Sequence, residues 1–415
     1  MDRCFFLCYI FQDMTAVIIA ASLIGIAAGK IPSLRMNRAT IAFTGAALLI
    51  LTGSLTYSEA LASVDLNTIV LIFAMMIINA NLKLSGFFRL TGRLIAMKAD
   101  TPEALLALII LTSALLSALF LNDTIVLMMT PLVIETALIA SRNPVPYLVA
   151  LAVSANIGSA ATFIGNPQNI MIGALSGIPF FSYTLKALVP SVFGLAVSWL
   201  VIVIVFRKEF DNSRFSLSVS SSVLIYKPLL YKSLFSVVIL AASIAAGLPI
   251  TPAALAAASF LVITRRVNPG RVFADIDFSI LVFFSGLFVI TGALTRLDFY
   301  QEAVTAYGAA ISDSIPLFSA FSLILSNIVS NVPAVMLLRP VVELAANPDV
   351  MWSALALSST YAGNLTLMGS VANLIVAETA RRQNINLSFS SYLRAGFPVT
   401  VITTAAGALW LMLAG

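Results

Sequence analysis

Two polar interruptions divide long apolar segments of the chain. Residues 154–169 read SANIGSAATFIGNPQN and residues 361–373 read YAGNLTLMGSVAN, each between flanks rich in Leu, Ile, Val and Ala. Gly and Pro end helices, while Asn and Ser side chains bond to a backbone that has left the helix. The two stretches correspond at an offset of 204 residues, which pairs Thr162 with Thr366, Gly165 with Gly369 and Asn169 with Asn373. We therefore predict two related helices, each broken near its middle.

The composition indicates that lipid surrounds most of these segments. Of the 415 residues, 60% are hydrophobic and 10% are charged, and the mean hydropathy is +1.03. A soluble domain is about half apolar and about a quarter charged, so nucleic-acid binders, cytosolic enzymes and secreted modules are excluded. The chain has no histidine, which excludes imidazole metal ligands and Ser-His-Asp catalysis. We predict no cofactor, and we expect Cys4 and Cys8 to be free thiols because two thiolates alone make no closed metal site.

The correspondence between the halves extends beyond the interruptions. Residues 64–88 resemble residues 276–300, and residues 122–131 resemble residues 331–340, in the same order along the chain. We therefore predict a first repeat, a linker and a second repeat at residues 1–206, 207–227 and 228–415. Each repeat holds three spans, a hairpin, a broken helix and a final span, with the hairpins at residues 103–142 and 313–346 and the broken helices at residues 145–175 and 351–380. Five crossings is an odd number, so the second repeat starts on the opposite side, which gives inverted-topology repeats.

The basic residues set the predicted orientation. If the N-terminus lies outside and both hairpins are re-entrant, 19 of the 23 basic residues fall on the cytoplasmic side and three outside. Such an excess is typical of cytoplasmic loops, and counting the hairpins as full crossings would remove it. The predicted fold class is thus an all-α polytopic membrane protein with about ten transmembrane helices, two of them broken, and two re-entrant hairpins. We place it in the cell inner membrane with both termini outside.

The four interruptions predict one shared binding site. Irregular backbone at membrane depth is tolerated only where protein or a polar cavity satisfies it. A single Asn or Gly has the simpler interpretation of a helix kink or a close helix contact, but four breaks in repeat register favour a site. The candidate substrate-binding residues are Asn122, Thr124, Asn156, Thr162, Asn166, Gln168, Asn169, Ser330, Asn331, Asn364, Thr366, Ser370 and Asn373.

Asp123 is the acidic residue at a hairpin tip, within the sequence LNDT. A carboxyl group inside a bilayer is costly and indicates a functional site, so we predict that Asp123 couples transport to protons. The alternative is a structural partner for a helix N-terminus. Arg339 is an anion contact, a partner of Glu343 or an interface residue, and we favour a structural role. Glu135 is a second proton site or lies near the lipid headgroups, and we favour the latter.

The motifs resemble those of the ion transporter superfamily, which includes arsenite/antimonite efflux permeases, plant silicon effluxers, sodium/proton antiporters and divalent anion/sodium symporters. The family patterns SANIGGTATLIGDPPN and GGNGTLIGASANVVVA resemble residues 154–169 and 362–377. The resemblance covers essentially the whole chain and implies alternating access by two moving halves, often in a homodimer. Asn166 and Gln168 depart from the acidic residue and the second Pro of the family pattern, which weakens a sodium/proton-antiporter reading.

We therefore predict a secondary transporter, not an enzyme, that exports arsenite or antimonite in exchange for protons. The alternatives are an uptake permease for a carboxylate or inorganic anion, a sodium/proton antiporter and, more remotely, a channel. The expected partners are a small inorganic oxyanion or metalloid, protons or sodium, and the lipid bilayer, with no nucleic acid. The chain has no ATP-binding P-loop string, so an ATPase subunit would be a separate chain.

Overall fold

The computed structural model describes residues 2–31, 36–210, 214, 224–263 and 268–414. Within this part of the chain there are 20 helices and one antiparallel pair of two-residue strands. Much of the predicted linker at residues 207–227 lies outside the described parts. So do some of the cysteines and basic residues used in the sequence analysis: the side chains of Arg3, Cys4, Cys8 and Lys30, and the whole of Arg35, Arg265 and Arg266.

The helices follow the same order in the two halves. The first half contains α1 (Asp2–Ala28), β1 (Lys30–Ile31), β2 (Met36–Asn37), α2 (Arg38–Leu51), α3 (Tyr57–Ser63), α4 (Leu66–Ser85), α5 (Phe87–Lys98), α6 (Pro102–Leu119), α7 (Asn122–Ile139), α8 (Pro144–Ala160), α9 (Pro167–Leu175) and α10 (Phe180–Val205). The second half contains α11 (Lys227–Ala245), α12 (Ile250–Val262), α13 (Pro269–Ala274), α14 (Phe278–Leu294), α15 (Asp298–Ser312), α16 (Ile315–Val329), α17 (Asn331–Glu343), α18 (Pro348–Ala362), α19 (Val371–Arg382) and α20 (Phe389–Ala414).

The predicted all-α polytopic fold class is confirmed, and the small β1–β2 ribbon is its one departure among the described residues. Among the residues that the structure describes, six helices are long and apolar enough to cross a membrane, namely α4, α6, α7, α10, α11 and α20. A seventh span is formed if α14 and α15, which meet at a bend of 80°, count together. The number of about ten crossings stays a prediction, because these six include both arms of the hairpin that we predict to be re-entrant, while α2, α8, α12 and α16 are shorter apolar helices. The repeat boundaries also stay a prediction.

The helices pack in two groups. The first helices of each half, α1, α2 and α4, pack with α11, α12 and α14. The hairpins α6–α7 and α16–α17 pack with the broken helices α8–α9 and α18–α19 and with α10 and α20. The amphipathic helices α5 and α15 connect the two groups along the chain, and neither was among the predicted spans because their polar faces lower their hydropathy.

The two helices that precede the breaks form the centre of the molecule. Every residue of α8 from Pro146 to Ala160 is buried, as is every residue of α18 from Val350 to Ala362. A helix that is buried all round needs small residues where its neighbours approach. At Gly158 a Cβ atom would overlap the backbone of Ala114 in α6, so glycine permits this close contact between the hairpin and the broken helix.

An ion pair joins the two halves at α3, which lies outside the predicted spans. Glu59 pairs with Arg296, and the backbone and hydroxyl of Thr56 also bond to the Glu59 carboxylate. The Thr56 bonds, followed by Arg296, lower the pKa of Glu59 to about 2 from 4.5.

The Glu59 carboxylate therefore stabilises the fold at a pH above 4.5, and this effect is lost as the pH falls towards 2. We expect Glu59→Gln to lower the thermal unfolding temperature slightly at neutral pH, because the pair is exposed. The difference from the unmodified protein should shrink over that acidic window. Scanning fluorimetry in detergent measures it, and a difference that is constant across the window contradicts the assignment.

Candidate functional site

The two hairpin tips have different backbones. In the first hairpin Asn122 opens α7, and its backbone N–H donates to the carbonyl of Gly165 at 2.9 Å, which ties the tip to the break after α8. In the second hairpin Ser330 has φ 79° and ψ 158°, a conformation that is essentially restricted to glycine. Strained residues of this kind cluster at functional sites, so this tip is a candidate for substrate contact.

A cluster of buried amides joins the breaks. The Asn156 amide nitrogen donates to the Oδ1 atoms of Asn364 and Asn373 at 2.9 and 3.1 Å. The Asn156 Oδ1 atom accepts from Asn122 at 3.1 Å and from Ser370 at 3.2 Å. One residue of α8 thus connects the first hairpin tip with both ends of the break between α18 and α19.

The same arrangement recurs in the other half around Thr360, which lies 204 residues after Asn156. The Thr360 hydroxyl donates to Asn169 Oδ1 at 3.2 Å and accepts from the amides of Asn166 and Gln168 at 3.2 and 3.3 Å. These bonds run from the break of one half to the buried helix of the other. Each break is therefore held by the opposite repeat.

Asn169 and Asn373 close their own breaks in the same way. The Asn169 amide donates to the carbonyls of Ser159 and Thr162, and the Asn373 amide donates to the carbonyls of Gly363 and Thr366. These carbonyls lost their helical partners where the helix stopped, so the asparagines satisfy them. The sequence match between the two stretches is thus a match in hydrogen bonding.

Asn166 has a role that an aspartate could not fill. Its Oδ1 atom caps α9 by accepting from the N–H of Asn169, and its amide nitrogen donates to Ser159 and Thr360. A carboxylate accepts but does not donate. The asparagine at this departure from the family pattern therefore adds a bond between the two halves.

One large cavity, of about 770 Å³, adjoins the breaks. Half of the fourteen predicted residues line it: Asn122, Asp123, Thr124, Gln168, Ser330, Asn331 and Ser370. The others lie outside its lining: Asn156, Thr162, Asn166, Asn169, Asn364, Thr366 and Asn373. Of this second set, all but Thr366 have side chains that hydrogen-bond the breaks, the first hairpin or, in the case of Asn364, the buried helix α8. The predicted set thus divides into residues that face the cavity and residues that hold the breaks in place.

The cavity also receives the N-termini of six helices, because residues at the starts of α2, α7, α9, α14, α17 and α19 line it. Helix N-termini present free N–H groups and a partial positive charge. Asp123 stands in the first turn of α7, half-buried, and lies within electrostatic range of Arg38 and Asp277. The site therefore combines N–H donors, amides, hydroxyls and a carboxyl group.

Several cavity residues were missed from the sequence. Asn79 of α4 donates from its amide nitrogen to the Thr124 hydroxyl at 3.4 Å, and Arg38 and Asp277 line the same space. Asn79 is a polar residue within an apolar helix, and that position could have indicated a functional role. Arg38 was among the basic residues counted to set the predicted orientation of the chain. Asp277 also caps α14 by accepting a hydrogen bond from the Ser279 N–H.

Two charged residues with open roles lie away from the cavity lining. Arg339 pairs with Glu343 one turn later at 2.8 Å, which fits the structural interpretation. Glu135 is exposed on α7, which fits a position near the headgroups.

Paired helical hairpins and paired broken helices around one cavity, whose lining includes amides, hydroxyls and charged groups, define a secondary transporter of the membrane. The chain belongs to the CitMHS family, described as "Citrate transporter", whose model matches residues 16–362. The predicted membership of the ion transporter superfamily is confirmed.

Relatives and a solved structure agree with this class. The silicon efflux transporter LSI3 of Oryza sativa subsp. japonica is 32% identical, over 91% of this chain and 93% of the relative. The putative transporter arsB of Dictyostelium discoideum is 25% identical, over 97% and 92%. The YdaH transporter of Alcanivorax borkumensis shares the fold with a TM-score of 0.59 at 14% identity, over 88% and 87%.

Proposed function

We propose that the protein exports arsenite or antimonite, as neutral trihydroxides, in exchange for protons that bind Asp123. The observation that carries this proposal is the charge balance of the cavity. Its described lining residues include three basic groups (Arg38, Lys83 and Arg381) and four acidic groups (Asp123, Asp275, Asp277 and Glu378). A cavity without a surplus of cationic side chains favours a neutral polar cargo over a multivalent anion.

Ion pairs among these groups reduce the number of cavity charges that lack a partner of opposite sign. Lys83 pairs with Asp275 at 2.7 Å, and Glu378 pairs with Arg381 at 3.0 Å. The remaining charges are Arg38 on one side and the carboxyl groups of Asp123 and Asp277 on the other. A proton on Asp123 neutralises this remainder, which supports Asp123 as the coupling group.

The position of the cavity suits export under the proposed orientation. Lys83, Asp275 and Arg381 line the cavity with partly exposed side chains, at helix ends that we assign to the cytoplasm. The cavity would then face inward, where an exporter collects its cargo. The names of the rice and Dictyostelium relatives, a silicon efflux transporter and a putative arsB, also support a metalloid cargo.

Uptake of a carboxylate or inorganic anion is the second candidate. The family description, the six helix N-termini and Arg38 in the cavity favour it. Both candidates use the same cavity, so binding measurements separate them.

We expect arsenite and antimonite to raise the thermal unfolding temperature of the purified protein by a few degrees. Binding at 100-fold above Kd adds about 2.7 kcal/mol to stability. A fluorimetric screen would compare arsenite, antimonite, silicate, sulfate, citrate, sodium and lithium. A shift with citrate or sulfate and none with the trihydroxides would replace the proposal with the second candidate.

A further inference from the structure

Two carbonyl oxygens at the cavity have no hydrogen-bond donor. The Oδ1 atom of Asn79 is buried without a partner, in a residue that is 2% exposed. The Oδ1 atom of Asn331, at the second hairpin tip, is buried without a partner as well. Both residues line the cavity. Among its described lining residues, no other buried polar side-chain atom lacks a hydrogen-bond partner. The unmet bonding capacity is therefore that of acceptors.

This chemistry selects among ligands. A buried acceptor without a donor is destabilising, and a ligand that supplies an O–H group relieves the cost. A carboxylate group or a fully deprotonated oxyanion such as sulfate has acceptors alone, so it would leave both oxygens unmet and repel them, and citrate has a single hydroxyl among its three carboxylates. A neutral hydroxide has several O–H donors, as well as oxygen lone pairs for the N–H groups of the helix N-termini.

We propose that Asn79 is a specificity-determining residue whose side-chain carbonyl accepts a hydrogen bond from a substrate hydroxyl. Asn331, at the second hairpin tip, accepts a second one. The inference rests on the proposed function and deepens it, because it restricts the cargo to neutral inorganic hydroxides with at least two O–H groups.

The location of Asn79 gives the contact a further consequence. Asn79 belongs to the first packing group, through α4, whereas Thr124 and Asn331 belong to the hairpins of the second group. A hydroxide held between Asn79 and Asn331 therefore bridges the two groups of helices.

Three variants test the role of the carbonyl. Asn79→Leu removes both the donor and the acceptor, and Asn79→Asp keeps acceptors while removing the donor. Asn81→Leu is the matched control, because Asn81 is a buried asparagine of the same helix that lies outside the cavity lining and donates to Ile77 of its own helix. Binding of arsenite and of citrate to each purified protein would be measured by titration calorimetry at neutral pH.

We expect Asn79→Leu to weaken arsenite binding about tenfold, the change that corresponds to roughly one hydrogen bond. Asn79→Asp should stay within about threefold of the unmodified protein, and Asn81→Leu should match it. The inference is overturned if Asn79→Leu binds arsenite as tightly as the unmodified protein, or if Asn79→Asp loses binding as fully as Asn79→Leu does.

The same titrations separate this inference from the proposed function. If the unmodified protein binds citrate and no hydroxide, the proposed function fails and the inference fails with it. If it binds arsenite and Asn79→Leu has no effect, the proposed function stands and Asn79 is not the selecting residue. Thermal unfolding without ligand shows whether each variant is folded.

Discussion

Replacing Asp123 by Asn is expected to abolish proton-driven accumulation of arsenite in inverted vesicles. A pH gradient of one unit stores the free energy of about a tenfold concentration ratio, so one-for-one exchange accumulates arsenite about tenfold. The asparagine cannot exchange a proton, and the accumulation should fall to the ratio of one that diffusion gives. Asp123 is chosen because it is an acidic residue that lies at the hairpin tip, in the first turn of α7, and also lines the cavity.

A second measurement distinguishes lost coupling from lost folding. Exchange of labelled for unlabelled arsenite needs no net proton movement, so the Asp123→Asn protein should retain it. Glu135→Gln is the matched control, because Glu135 is an exposed acidic residue of the same helix, outside the cavity lining. Accumulation by Asp123→Asn that equals that of the unmodified protein would remove Asp123 from the coupling mechanism.

The interrupted stretches could be predicted from sequence because their causes are local. Pro167 acts on the backbone where it stands, and Asn166 caps the helix that begins beside it. The repeat match then located the second break from the first. In contrast, the partner of each break lies in the opposite half, and no local pattern shows that Asn156 reaches Asn373.

The cavity residues from the first packing group could not be predicted for a related reason. Arg38 and Asn79 stand on helices without a break, and their position beside Asp123 depends on how two groups of helices meet. Arg38 fitted the charge rule for orientation, which left no signal of a second role. The division of the predicted residues into cavity lining and supporting network also depends on tertiary packing, because both sets are amides and hydroxyls.

Asn156→Leu is expected to be the most destabilising substitution in the site. It would leave four groups without their bond to Asn156: the amide of Asn122, the hydroxyl of Ser370 and the Oδ1 atoms of Asn364 and Asn373. At about 0.6 kcal/mol for each of the four bonds within a membrane, and up to about 3 kcal/mol for each buried group left unsatisfied, the loss lies between roughly 2 and 12 kcal/mol. We expect a fall of several degrees in the thermal unfolding temperature and loss of transport.

Asn156→Thr is the informative companion, because Thr360 makes the corresponding bonds in the other half with a hydroxyl. A threonine at position 156 can donate to Asn373 and accept from Ser370, so it should recover part of the stability. Asn81→Leu serves as the control for replacing a buried asparagine, since Asn81 bonds to its own helix. If Asn156→Leu unfolds at the temperature of Asn81→Leu, the network does not hold the breaks. If Asn156→Thr is no better than Asn156→Leu, the bonds around Asn156 and Thr360 are not equivalent.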